Sequence, residues 1–349
     1  MNEKRHPLLQ PNELSESTVV SMRTRIIAAI IGIAIVLPTV IFGDWIMVAM
    51  MMVVIVFAII EIIRCAKTKY SKVLYIVSFL LAFLVLFWNI IQDRQLILDG
   101  TWRLYDSYNR LTLSITIVFI GICCSAITVL IDKNFTIIDA CFIFTTVLIV
   151  ALGIESFLFL RFYPVHIYHE TLKEAGETVP YFNLYDNCTS FFLVFYMALG
   201  ACLNDAFAYF VGVFFGRHKL NERISPKKTW EGFFGGVILT SIFLSAYAFI
   251  FAFAGKDGEY ALLKDVLDKE HWYHIIILST LIPCVSTLGD MVFSSIKRHY
   301  QIKDFSNLIP GHGGILDRLD SLVFAAITMA IYISIFANLA GQGGGITLP

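Results

Sequence analysis

Apolar residues in this chain do not alternate with polar ones; they form solid blocks. Nine such runs lie at approximately 25–42, 45–63, 73–91, 111–131, 137–160, 188–210, 231–254, 273–293 and 321–340. A bilayer core of about 30 Å is crossed by about 20 helical residues, so each run is about long enough to span it. The short alternating segments of a membrane β-barrel are not what these runs look like. The pattern therefore predicts an all-α polytopic membrane protein with about nine transmembrane helices. The first run follows Met22-Arg23-Thr24-Arg25 and ends in Phe42-Gly43-Asp44 without a small-x-small site, so it reads as a retained span and not as a cleaved signal. Polar positions divide the chain into a polar tail (1–21), a first group of helices (22–187) and a second group (188–349) that holds the polar motifs.

Composition agrees with the pattern. Hydrophobic residues make up 58% of the 349 and charged residues 15%, against about 45–50% and about 25% in soluble domains. A water-soluble fold of this size, a disordered chain and a disulfide scaffold are all excluded. Seven cysteines sit mostly in apolar runs without CxxC or Cys/His spacing, so neither a disulfide nor a zinc site is expected. The net charge of −1 conceals an asymmetry. With the N-terminus in the cytoplasm, 18 of the 26 lysines and arginines fall in inside segments. By the positive-inside rule this predicts the N-terminus cytoplasmic and the C-terminus outside.

Ionisable groups inside a membrane cost about 2.5–3.5 kcal/mol each at a helix centre and so call for a reason. Asp205 and Asp290 each fall near the inner end of a run, Glu231 opens another, and Asp317 and Asp320 precede the last. Five carboxylates from four segments thus meet one leaflet, beside the basic loops 216–230 and 294–320. Asp290, Ser294 and Lys297 share one helical face, as do Asp317 and Asp320. Clustered carboxylates hold a hard divalent cation such as Mg²⁺, which in turn binds phosphate oxygens. Adjacent lysines and arginines neutralise the remaining phosphate charge. Two further elements suit an anion. Pro310-Gly311-His312-Gly313-Gly314 is a glycine-rich loop able to bring N–H groups close. Ser225-Pro226-Lys227-Lys228-Thr229 reads as an N-cap, a first helical proline and two lysines at a helix N-terminus. Plainer readings stand beside these: inner-leaflet anchoring by Lys and Trp, a charge pair of Asp317 with Arg318 at a helix start, and a structural Asp205 bonded to a tyrosine.

The stretch 294–320, SSIKRHYQIKDFSNLIPGHGGILDRLD, closely resembles the signature of the phosphatidate cytidylyltransferase (CDP-diacylglycerol synthase) family. NDAFAYFVGVFFGRHKL at 204–220, SPKKTWEG at 225–232 and LGD at 288–290 resemble further blocks of that family, so the likeness covers roughly 204–321. Where members often have Asp-Thr-Gly-Ala-Tyr, this chain has Asp205-Ala206-Phe207-Ala208-Tyr209. The resemblance implies transfer of CMP from CTP to membrane phosphatidate, giving CDP-diacylglycerol and pyrophosphate. It implies Asp290, Asp317 and Asp320 as ligands of Mg²⁺, with a second cation such as K⁺, and Lys297 as a catalytic phosphate contact. Lys227, Lys228, Arg318, His312 and Ser294 then serve the substrate phosphates, with Asp205, Glu231, Lys303 and Asp304 in support. His312 and Ser294 also have structural readings, in the loop and in packing. The expected setting is a bacterial plasma membrane with the site on its cytoplasmic side and no nucleic-acid partner; a homodimer is the expected assembly.

Three rivals remain from the sequence. A secondary transporter also carries intramembrane carboxylates, yet here they crowd one face and no inverted repeat is visible. A non-catalytic scaffold leaves SPKKTWEG and GHGGILDRLD without a purpose. A CTP-dependent enzyme acting on another lipid phosphate fits the same motifs.

Overall fold

The computed structural model describes residues 16–65, 72–92, 121–123, 126, 128–130, 135–174, 184–254, 261–263 and 266–341. Its helices are α1 (Glu16–Phe42), α2 (Asp44–Cys65), α3 (Lys72–Gln92), α4 (Ile137–Glu174) and α5 (Leu184–Phe215). A two-stranded antiparallel hairpin follows, β1 (Lys219–Asn221) and β2 (Ser225–Thr229). Then come α6 (Trp230–Ala252), α7 (Trp272–His299) and α8 (Leu316–Gly341). Among the described residues seven helices are long and apolar enough to cross a membrane. The run at 73–91 is helical, while that at 111–131 lies mostly outside the described residues. Helix α1 begins at Glu16, within the polar segment 1–21. The fifth helix passes through Asn204-Asp205 unbroken.

Local sequence explains several boundaries. Before α4, Thr136 and Asp139 cap each other reciprocally: the Thr136 N–H donates to Asp139 Oδ2 (3.0 Å) and the Asp139 N–H to Thr136 Oγ1 (3.3 Å). Between α1 and α2 the chain turns at Gly43, whose φ of 64° a side chain disfavours. The carbonyls ending α1 are held by Arg161 of α4, which donates to Val40 O (2.8 Å) and Ile41 O (2.9 Å). One expectation fails here. Ser225-Pro226 does not open a helix; it starts β2, and α6 begins at Trp230 with Thr229 as N-cap, its Oγ1 accepting from the Gly232 N–H (3.1 Å). Proline disfavours a helical residue before it and tolerates an edge strand, so Ser-Pro fits either end of such a junction.

Two apolar cores form. One joins α2, α3 and α4 residues between Ala140 and Phe162 with Phe293, Phe305 and Leu316. The other joins α5, α6, α7 and α8 with Phe159, Leu160 and Tyr163 of α4. Helix α4 therefore takes part in both. Large apolar side chains also cover outward faces, including Ile30, Ile33, Phe210, Phe214, Ile238 and Ile242. Hydrocarbon is the solvent that makes such faces stable.

Candidate active site

Asn204, on α5, is buried against α7: its Nδ2 donates to Thr287 Oγ1 (2.7 Å) and to the Pro283 carbonyl (3.2 Å). That grip orients the next residue, Asp205, which opens onto a cavity of 590 Å³. The cavity is walled by α5, the hairpin, α6 and α7, with Tyr209, Lys227, Lys228, Thr229, Thr287 and Asp290 among its lining residues. Helix α7 approaches α8 closely at Gly289, where an added Cβ would lie 2.6 Å from the Asp320 carbonyl oxygen. This contact sets Asp290 and Asp320 on facing helices.

The charges interleave. Lys228 ion-pairs with Asp290, whose other oxygen accepts from Ser294 Oγ (3.2 Å). Lys297 Nζ lies 2.9 Å from Asp317 Oδ1 and 3.7 Å from Asp320 Oδ2. Asp205 lies within electrostatic range of Lys228, Asp290 and Arg318, and Asp320 within range of Asp290, Lys297 and Asp205. Carboxylates from α5, α7 and α8 and lysines from β2 and α7 thus occupy one neighbourhood.

Each sequence candidate has a definite place. Lys227 and Lys228 line the cavity from a strand and not from a helix N-terminus. Glu231 does not line it: its carboxylate accepts from the Arg217 and His218 N–H groups and meets His218 Nδ1 at 2.6 Å, closing the base of the hairpin. Arg318 is exposed and lies within electrostatic range of Asp205. Lys303 and Asp304 are exposed on the segment before α8 and do not line the cavity. Asp317 is buried, and its Oδ2 accepts from the Phe305 N–H (2.8 Å) and the Gly314 N–H (2.9 Å) while Oδ1 holds Lys297. Both of its oxygens are therefore engaged.

The glycine-rich loop differs from its expectation. Its backbone donors serve the chain itself: Ile309 N–H goes to Gly313 O, His312 and Gly313 N–H to Ile309 O, and Gly314 N–H to Asp317. Gly313, at φ 87°, permits that tight return. The anion approached is an internal carboxylate. His312 Nδ1 is buried without a hydrogen-bond partner among the described residues.

One residue of this region was not among the candidates. Glu61 of α2 is 4% exposed and accepts from Ser306 Oγ (2.6 Å), the Ile315 N–H (3.0 Å) and the Leu316 N–H (2.9 Å). A glutamate inside an apolar run was the available signal, the same one that marked Asp205.

Among the described residues no group of three or more acidic, His or Cys side chains converges closely enough to hold a metal ion. The described carboxylates are instead paired with lysines, Asp290 with Lys228 and Asp317 and Asp320 with Lys297. The donor chemistry nevertheless fits a hard divalent cation. Asp205, Asp290 and Asp320 offer carboxylate oxygens from three helices.

A sequence model of the cytidylyltransferase family matches residues 23–336. A phosphatidate cytidylyltransferase of Staphylococcus epidermidis is 30% identical over 303 residues, 87% of this chain and 95% of that relative. The matches to phosphatidate cytidylyltransferases of Bacillus subtilis (33% identical) and Haemophilus influenzae (40% identical) cover 41% and 42% of this chain. They span about half of those relatives, 48% and 46% of their lengths. With the cavity and its carboxylates lying inside the matched span, the chain belongs to the cytidylyltransferase family.

Proposed function

We propose that this chain transfers CMP from CTP to phosphatidate within a membrane, producing CDP-diacylglycerol and pyrophosphate. The observation that carries the reading is the interleaving of Asp205, Asp290 and Asp320 with Lys228 and Lys297 beside a cavity between apolar helices, which Asp205, Lys228 and Asp290 line. Relatives named phosphatidate cytidylyltransferase match the chain, and the family match at 23–336 includes these residues. In the reaction an oxygen of the lipid phosphate attacks the α-phosphorus of CTP. A new P–O bond forms, the bond from the α-phosphorus to its bridging oxygen breaks, and pyrophosphate leaves with the electron pair. The attacking phosphate is already anionic, so no strong base is needed. Such a transfer calls for positioning and charge neutralisation.

The lysines supply the neutralisation. Lys228 is held by Asp290, and Lys297 by Asp317 with Asp320. A polyanion in the cavity competes for Lys228, and Lys227 adds charge to the same lining, while Lys297 and Arg318 add charge near Asp320 and Asp205. Lysines released to phosphate leave Asp290 and Asp320, with Asp205, as the donors that would hold Mg²⁺. Bound there, such an ion would neutralise charge on the transferring phosphoryl group. Asp317, whose oxygens are engaged by the loop, is assigned to holding Lys297 and the start of α8 rather than to the metal. Tyr209, Phe233 and Val213 give the cavity an apolar side suited to a lipid.

For the finer placement, we assign the site to the cytoplasmic leaflet of a bacterial plasma membrane, with nine spans and the C-terminus outside. The test is an assay of detergent-solubilised protein with phosphatidate and radiolabelled CTP. Labelled CDP-diacylglycerol is expected with Mg²⁺ and not after EDTA treatment. No product in either condition would overturn the function.

A further inference from the structure

The carboxylate of Glu61 reaches, from the N-terminal half of the chain, the loop and helix start that carry Asp317 and Asp320. Its Oε1 accepts from Ser306 Oγ and the Ile315 N–H, and its Oε2 from the Leu316 N–H. The last two are N–H groups that an α-helix leaves without internal partners at its N-terminus. An anion there also meets the positive end of the helix dipole. The fit is close: a Cβ on Gly314 would fall 2.6 Å from Glu61 Oε1, so only glycine lets the carboxylate reach this depth. Helix α2 contributes many apolar residues to the core it shares with α3 and α4, and among its described residues Glu61 is the buried charged group.

We infer that Glu61 is a positioning residue for catalysis, a cap supplied by α2 that fixes the 306–316 loop and the first turn of α8, and through them Asp317, Lys297 and Asp320. The inference rests on the proposed function for its kinetic consequence, though not for its structural one. Three accepted hydrogen bonds exceed what burial in an apolar helix requires, and all three donors belong to one short segment. The coupling runs in one chain of contacts. Glu61 holds Ile315 and Leu316, Asp317 follows in sequence and holds Gly314, Phe305 and Lys297, and Lys297 reaches Asp320. Displacing a catalytic group by about 1 Å is enough to lower turnover about 100-fold.

Glu61→Gln tests this with almost no change in volume. An amide presents one oxygen and one NH₂ to a site that offers three donors, so an N–H of the loop meets another donor. The expected result is kcat lowered about 10- to 100-fold with KM for CTP changed less than about 3-fold, the signature of misplaced chemistry rather than lost binding. Hydrogen–deuterium exchange at the 306–316 amides should accelerate at the same time. Ser306→Ala, a milder variant that leaves both backbone contacts, should lower kcat only about 2- to 3-fold and should add little in the Glu61→Gln background. Wild-type kcat in Glu61→Gln would overturn the proposal, as would a loss of kcat with unchanged exchange of the loop. If the wild-type protein makes no CDP-diacylglycerol the function has failed instead. The exchange measurement then decides alone whether Glu61 holds the loop.

Discussion

Two aspartates that look alike in sequence carry different loads. Asp290 faces the cavity, with Lys228 on one oxygen and Ser294 on the other. Asp317 is buried and bound to two backbone N–H groups and a lysine. Asp290→Asn keeps the shape and removes a charge whose pair with Lys228 is more solvated than that of Asp317 with Lys297. It should lower kcat about 100-fold or more, with detergent-phase melting close to wild type. Asp317→Asn turns one oxygen into a donor against Phe305, Gly314 or Lys297. Breaking a buried pair of this kind costs about 3–5 kcal/mol, so melting temperature should fall together with activity. Comparable melting of the two variants would sink the division of roles. The sequence made both residues visible, because charges beside a membrane demand a reason, but it did not separate them. That separation depends on backbone donors brought from Phe305 and Gly314, and hydrogen-bond partners of this kind leave no mark on residue type.

Helix contacts decide whether the separate motifs become one site. Gly289 places α7 against α8, and a methyl group there would lie 2.6 Å from the Asp320 carbonyl oxygen and 2.8 Å from the Phe324 ring. Gly289→Ala should therefore push the two helices apart at the level of Asp290 and Asp320. Overpacking costs about 1–3 kcal/mol, and kcat should fall by at least about 10-fold because the facing carboxylates separate. Full activity in purified Gly289→Ala would show that the α7–α8 spacing is not critical. Most of the described helices were readable from the apolar runs, whose length needs no tertiary information. The hairpin was not, because Ser225-Pro226 satisfies both a helix start and an edge strand. What selects the strand is tertiary: the His218 carbonyl accepts the Trp230 N–H (2.9 Å), and Glu231 gathers Arg217 and His218. Those contacts close the hairpin base and leave Thr229 as the cap of α6. Glu61 escaped for a related reason, since its partners lie more than two hundred residues away in sequence.

For the molecule as a whole, the distribution of charge matters more than its sum. With the N-terminus inside, the inner segments carry 18 basic residues and the outer ones 8. Lysine and arginine near a cytoplasmic surface meet anionic lipid, worth about 1 kcal/mol per residue. Under the proposed function the same excess would draw a phosphorylated lipid and a nucleoside triphosphate toward the cavity, so that orientation and substrate supply would share one cause. This makes topology a functional prediction. In a cysteine-free background, Arg223→Cys samples the exposed hairpin turn and Glu270→Cys the segment before α7. A membrane-impermeant maleimide should label the Arg223→Cys protein in inverted vesicles and not in intact cells, and the Glu270→Cys protein in the reverse pattern. Saturating CTP should slow labelling of the first, since Arg223 sits in the turn joining the cavity strands, and leave the second unchanged. Labelling of both from the same side would break the topology. Labelling of Arg223→Cys only from outside would place the cavity across the membrane from cytoplasmic CTP, and the proposed reaction would lose its nucleotide.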